Sequence, residues 1–211
     1  MSASLPFPQS LSDKHRPQTI AAFVGLEKPK KILAKFAANP YPSAWLFVGP
    51  SGVGKTSMAQ ALATEIRGEL HHIPSQKCDA KAIEEVCAFC HYVPLNGGMH
   101  VILIDEADRM TPGAQTALLS KTDSTDFPPN TIFIATCNST DGLDRPLLSR
   151  FGRVIEFSSY GLNSQIAEYL DTIWHAEGGN GNAPDLARLA KDSRNNVRDA
   201  LMKLETELMA L

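Results

Sequence analysis

Gly49-Pro-Ser-Gly-Val-Gly-Lys-Thr56 satisfies every fixed position of the phosphate-loop pattern G-x-x-x-x-G-K-[ST]. The residue types follow from the task of holding a polyphosphate. Gly52 and Gly54 let the backbone curl, so that successive N–H groups point at phosphate oxygens. Lys55 places an ammonium on the β- and γ-phosphates, and the Thr56 hydroxyl is a ligand for Mg²⁺. The flanks agree with this reading. Ala44-Trp-Leu-Phe-Val48 is a short apolar run that reads as a buried strand. Ser57–Ile66 reads as a helix whose N-terminal dipole faces the anion. The candidate nucleotide contacts are therefore Gly49, Pro50, Ser51, Gly52, Val53, Gly54, Lys55, Thr56 and Ser57, with ATP and Mg²⁺ as the expected cofactors.

Outward from the loop, strand-sized apolar runs alternate with helical patterns. The runs are Ala44–Val48, Leu70–Ile73, His100–Ile104, Thr131–Ala135 and Val154–Phe157, and helices are predicted over 55–67, 79–92 and 111–121. Repeated β-then-α alternation implies parallel strands with helical crossovers, hence an α/β fold in which a five-stranded sheet lies between helical layers. After Phe157 only helical patterns remain: one capped by Asn163 over 164–176, one over 184–191, and one over 196–211 with Val197, Ala200, Leu201, Leu204 and Leu208 on one side. The expected organisation is an N-terminal arm and helix over 1–39, an α/β core over 40–160 and a helical lid over 161–211.

Val101-Ile-Leu-Ile-Asp-Glu-Ala-Asp108 is a second phosphate-chemistry element. Four apolar residues carry Asp105 and Glu106 to the C-terminal end of a central strand, where open α/β sheets place their ligands. Asp105 is placed to hold the Mg²⁺ shell, and Glu106 to polarise an attacking water. Asp-Glu-Ala-Asp also fits a helicase box, but such enzymes need two domains of this size. The next strand delivers Asn138 to the same edge, where it can orient water or touch the γ-phosphate.

Composition narrows the class. Hydrophobic content of 43% and charged content of 20% are ordinary for a globular chain, and no apolar run approaches the roughly 18–20 residues of a membrane span. Met1–Pro8 lacks the basic start and apolar core of a secretory signal, so a cytoplasmic location, or a nuclear one in a eukaryote, is expected. A net charge of −3 argues against a dedicated polyanion binder; DNA, if bound, must be gripped by a few placed residues or by several copies of the chain. Cys87-Ala-Phe-Cys90-His91 matches the haem-attachment pattern C-x-x-C-H, and Cys78 upstream invites a zinc reading. Helical spacing through Ala82, Ile83, Val86, Phe89 and Cys90 favours structural thiols one turn apart on a helix, with a metal site as the second reading.

In this order and spacing, the motifs resemble an AAA+ ATPase of the clamp-loader clade, close to replication factor C small subunits and bacterial clamp-loader ATPase subunits. Lys14-His-Arg-Pro-Gln-Thr-Ile-Ala-Ala-Phe-Val-Gly25 resembles the family's opening box, with His15 where a tyrosine is usual. Asp105–Leu118 follows the family's D-E-A-D-x-M-T-x-x-A-Q-x-A-L, and Asn138 matches sensor 1. Leu148-Ser-Arg-Phe151 resembles the S-R-C motif with Phe151 in place of cysteine, and Asn196–Ala200 resembles the sensor 2 helix.

The resemblance implies that His15, Arg16, Pro17 and Val24 line an adenine pocket. It implies that Arg150 acts as a finger into a neighbouring subunit's ATP and that Arg198 reads the γ-phosphate. It further implies DNA contacts near Ser75–Lys81, with Lys77, Lys81 and Arg109 as candidates, and partners that include other clamp-loader subunits and a sliding clamp. Branch migration, fork maintenance, transposition control and a DNA-independent assembly switch remain alternatives with the same active site. The family's clamp-loader subunits continue into a helical collar, whereas this sequence stops at Leu211. A subunit lacking that collar, one served by another chain's collar, or a shortened chain are the expectations that follow.

Overall fold

A computed structural model describes residues 9–94, 98–158, 160–179 and 183–210, apart from the Ser75 side chain. The reading of Met1–Pro8 lies outside them. The chain divides into two compact units: Pro17–Ser158, and a second that joins the described residues up to Arg16 to those after Ser158. The sequence reading places its boundaries elsewhere, after 39 and 160.

The one-turn helix α1 (Leu11–Lys14) comes first, followed by a 3₁₀ turn at Ile20–Ala22 and helix α2 (Glu27–Ala37). Five strands then alternate with helices: β1 (Ser43–Val48), α3 (Lys55–Glu65), β2 (Glu69–Pro74), α4 (Ala80–Phe89), β3 (His100–Asp105), α5 (Pro112–Lys121), β4 (Thr131–Cys137), α6 (Arg145–Arg150) and β5 (Arg153–Glu156). Their order in the sheet is β2-β3-β4-β1-β5, and every pairing is parallel. This is the expected five-stranded parallel sheet.

β4 is buried along its whole length and β3 in all but its last residue, because both faces of the sheet are covered. Alternate residues feed two cores. Phe47, Val101, Leu103, Ile132 and Ile134 pack with Leu33, Met58 and Leu62 of α2 and α3. Leu46, Ile102, Ile104 and Phe133 pack with Ile83, Cys87, Ala114 and Leu118 of α4 and α5. Leu103 is fully buried, so Leu103→Ala should cost about 2–5 kcal/mol.

Helix ends are where the structure corrects the sequence reading. α3 stops at Glu65 rather than 67, because Arg67 turns left-handed (φ 52°) and Gly68 N–H donates back to Ala63 O. α4 begins after Asp79, whose carboxylate accepts from Ala82 N–H, and ends at Phe89. Cys90 therefore caps the helix instead of lying within it. Thr111 caps α5, with Pro112 in the first turn where its missing N–H costs nothing.

In the second unit, α7 (Asn163–Ala176), α8 (Leu186–Asp192) and α9 (Val197–Met209) bury Ile166, Leu170, Ile173, Trp174, Ala190, Ala200, Leu201 and Leu204. Asn163 is the first helical residue of α7 rather than its cap; Leu162 precedes it without a side-chain bond. Asp185 and Asn196 do cap α8 and α9. The arm is not simply extended. Ser10 caps α1, Leu11 is buried, and the Leu11 N–H donates to Glu205 in α9.

Candidate functional site

The phosphate loop runs from the C-terminal end of β1 into the first turn of α3, with Gly54 as its N-cap. Two glycines are dictated by geometry. A Cβ on Gly49 would lie 2.2 Å from the Phe157 carbonyl oxygen, and Gly54 sits at φ +98°, where a Cβ would also lie 3.1 Å from the Phe23 ring. Val53 is buried beneath the loop, while Pro50 and Ser51 are exposed at its rim. The N-terminal dipole of α3 thus faces the loop, as an anion site requires.

Lys55 is only 7% exposed, and its ammonium donates to Gly49 O (2.7 Å), Pro50 O (2.9 Å) and Asn138 Oδ1 (3.1 Å). Asn138, one residue beyond β4, is thereby joined to the loop. Asp105 ends β3, and its Oδ1 accepts from the Thr56 hydroxyl at 2.7 Å and from the Thr136 hydroxyl. The hydroxyl and carboxylate oxygens of Thr56 and Asp105 are hard donors of the kind Mg²⁺ takes when it retains water and binds through one or two protein groups, so the residues fit that ion. His72 Nε2 lies 3.8 Å from the other Asp105 oxygen.

Glu106 adopts a left-handed backbone (φ 52°, ψ 48°), which costs about 1–2 kcal/mol in a residue with a Cβ. Its N–H donates to Thr136 Oγ1 (3.2 Å), so one threonine hydroxyl bridges Asp105 and Glu106. Its carboxylate is 3.2 Å from Arg109, which therefore pairs within the site. The arrangement gathers a cation, a hydroxyl–carboxylate metal pair, an amide and a second carboxylate at the C-terminal edge of three neighbouring strands. It can neutralise phosphates and take a proton from water.

The profile of the ATPase family associated with various cellular activities (AAA) matches residues 45–159, more than half of the chain and all of this site. The chain belongs to the AAA family. Among curated AAA relatives, the replication factor C small subunit of Natronomonas pharaonis is 33% identical over 174 residues, covering 79% of this chain and 52% of that protein. The Methanothermobacter thermautotrophicus small subunit is 33% identical over 145 residues, covering 65% and 44%. The chain spans about half the length of these relatives. A solved structure of Thermotoga maritima RuvB, a Holliday junction branch migration motor, has a TM-score of 0.75 at 24% identity over 90% of this chain and 64% of that one. A point variant of the same RuvB reaches 0.77 at 22%, with the same coverage. These likenesses agree with the AAA fold, and in sequence the chain resembles the replication factor C small subunits.

The remaining candidates lie outside this cluster. Arg150 is the last residue of α6 and its guanidinium is 2.5 Å from Asp123. The Asp123 carboxyl is held below its ordinary range first by bonds from the Thr125 N–H and hydroxyl and then by Arg150. Lys77 ends a 3₁₀ turn at Ser75–Lys77 and is exposed, and Lys81 lies 3.6 Å from Glu85 on the open face of α4. Pro17 opens the core unit, and Val24 is half-buried next to Phe23. His15 and Arg16 belong to the helical unit. There Lys14 and His15 both reach Glu177, whose carboxyl their bonds hold below its ordinary range, and Arg16 pairs with Asp13. Arg198 is exposed in the first turn of α9. Sequence reasoning missed Phe23 and Thr136, which touch the site only through tertiary contact.

Proposed function

We propose that this chain binds and hydrolyses ATP in the presence of Mg²⁺, as one subunit of a clamp-loader-like oligomer that acts on DNA. The observation that carries the reading is the single cluster joining Lys55 to Asn138 and Thr56 to Asp105, in a chain 33% identical to replication factor C small subunits. Lys55 exchanges its loop carbonyls for β- and γ-phosphate oxygens. Thr56 and Asp105 hold Mg²⁺, which when bound neutralises charge developing on the phosphates. Glu106 takes the proton of the attacking water, and Asn138 orients that water.

Arg150 supplies the finger to a neighbouring subunit, leaving Asp123 to do so. Arg198 reads the γ-phosphate, and His15, Arg16, Pro17 and Val24 serve the adenine. Lys77 and Lys81 contact DNA phosphates in a sequence-independent, salt-sensitive way. Arg109 divides its charge between DNA and Glu106. A sliding clamp and sister subunits are the partners, and the cytoplasm or nucleus the compartment.

Complementation tests the finger. Arg150→Ala and Glu106→Gln chains should each be nearly inactive alone while binding ATP normally. Mixed, they should recover turnover, because the intact finger of one meets the intact base of the other. No recovery, or normal turnover of Arg150→Ala alone, would refute a finger acting between subunits. Turnover unchanged by primed DNA, with DNA affinity intact after Lys77→Ala and Lys81→Ala, would remove DNA from the proposal.

A further inference from the structure

A second cluster of chemically active side chains lies at the other end of β3, and the nucleotide site makes no use of it. His71 of β2, Cys90 at the C-terminus of α4 and His100 at the start of β3 bring one ligand atom each to within 4.8 Å of one another. His71 Nε2 and His100 Nδ1 are 3.0 Å apart. Cys90 and His100 are fully buried, and His71 is half-buried.

The tautomer of His100 follows from its other nitrogen. Nε2 is 2.9 Å from the Tyr92 carbonyl oxygen, which can only accept, so Nε2 carries a proton, and in the neutral ring Nδ1 turns a lone pair toward His71 and Cys90. A ring N–H anchored on a backbone carbonyl is the support that orients a metal-ligating histidine. Glu69 stands opposite His100 in the β2–β3 register and two residues from His71, hence on the same face of the strand; its carboxylate is 3.9 Å from His100 Nδ1.

We propose that His71, Cys90 and His100 form a structural zinc site, with the Glu69 carboxylate as the fourth ligand. Tetrahedral zinc with bonds of about 2.0–2.1 Å to nitrogen and 2.3 Å to sulfur needs ligand–ligand edges of about 3.3–3.6 Å. The present separations, from 3.0 Å to at most 4.8 Å, bracket that value. A carboxylate beside the triad, where a blue-copper site has a thioether, favours zinc over copper. Burial pushes the Cys90 thiol up to about 11; binding of the ion releases that proton to solvent. The ion would tie the edge strand β2 to α4 and β3.

The test uses the full chain, stripped by chelator and titrated with Co²⁺. One equivalent should give tetrahedral d–d absorption and a thiolate-to-cobalt charge-transfer band, both bleached by one equivalent of Zn²⁺. Co²⁺ at Thr56 and Asp105 meets no thiolate and gives no such band. His71→Gln, at a half-exposed position, should weaken binding more than about 100-fold with an unchanged circular dichroism spectrum. Cys90→Ser should abolish the charge-transfer band, and Cys87→Ser should leave it. If Cys90→Ser does not fold, the His71→Gln titration decides. The proposal is overturned if stoichiometric Co²⁺ gives no thiolate band, if His71→Gln binds as tightly as the parent, or if copper alone is taken up.

Discussion

The strand β3 has polar chemistry at both ends, and the two ends were assembled in different ways. At its C-terminal end Asp105 meets Thr56, Thr136 and, through Glu106, Arg109. Most of these groups lie on stretches whose local spacing already declares them. At its N-terminal end His100 meets His71 and Cys90, none of which is in a motif with the others. A parallel sheet explains the asymmetry. Each strand-to-helix connection at the C-terminal edge concentrates loop residues, helix N-termini and backbone N–H groups there. The opposite edge receives only chain returning from helix ends, so a cluster there depends on which helix terminus packs where.

The comparison can be broken most decisively at the first end. Arg150→Ala should lower turnover by about 10³–10⁵ if that end is completed by another subunit, measured as phosphate release in the assembled protein. Unchanged turnover would make the nucleotide end self-sufficient and leave Arg150 as the partner of Asp123. Glu106→Gln should cost about 10²–10⁴ in turnover with ATP affinity retained, read by single-turnover kinetics and nucleotide titration. The other end responds to His71→Gln, which should reduce zinc affinity more than about 100-fold while basal ATP turnover is unchanged; a loss of turnover would mean that the two ends are coupled along β3.

Thr136→Val tests how far the nucleotide end relies on a residue outside its motifs. It removes the hydroxyl bridging Asp105 and the Glu106 N–H, and should cost about 1–3 kcal/mol of stability by urea unfolding. A further test is alkaline. Burial raises Cys78 and Cys137 to about 11 and Cys87 to about 12. Below pH 9 these thiols are protonated in both folded and unfolded chains, and their contribution to stability is fully present. As pH rises past 9 the unfolded chain loses protons first, so the urea midpoint should fall progressively toward pH 11–12. A midpoint flat over that range would mean that the thiols are more accessible than their packing implies.

Legibility tracked the range of the interactions. The five strands were readable because each is a continuous apolar run between turn signals, and β3 and β4 are buried on both faces. Helix ends were less so. The stop at Glu65 depends on a left-handed turn taken at Arg67, one residue before the glycine that announces the end, and Asn163 has a cap's chemistry without occupying the cap. Cys90 does lie one turn along from Cys87, its N–H donating to Val86 O, but that spacing says nothing of the groups the sheet brings to it. Its polar neighbours come from β2, β3 and β4, Thr131 among them, and the sequence distance to them carries no local period.

The sequence by itself determined the α/β class, the strand count, the phosphate loop and the carboxylates of β3, because these rest on contacts between near neighbours in the chain and on a period of burial. Only the tertiary structure decided the strand order β2-β3-β4-β1-β5, the pairing of Arg150 with Asp123, the hydroxyl bridge from Thr136, and the meeting of His71, Cys90 and His100. Those follow from how helices and strands pack across the sheet, where residues distant in sequence are brought together by burial of apolar surface rather than by any local preference.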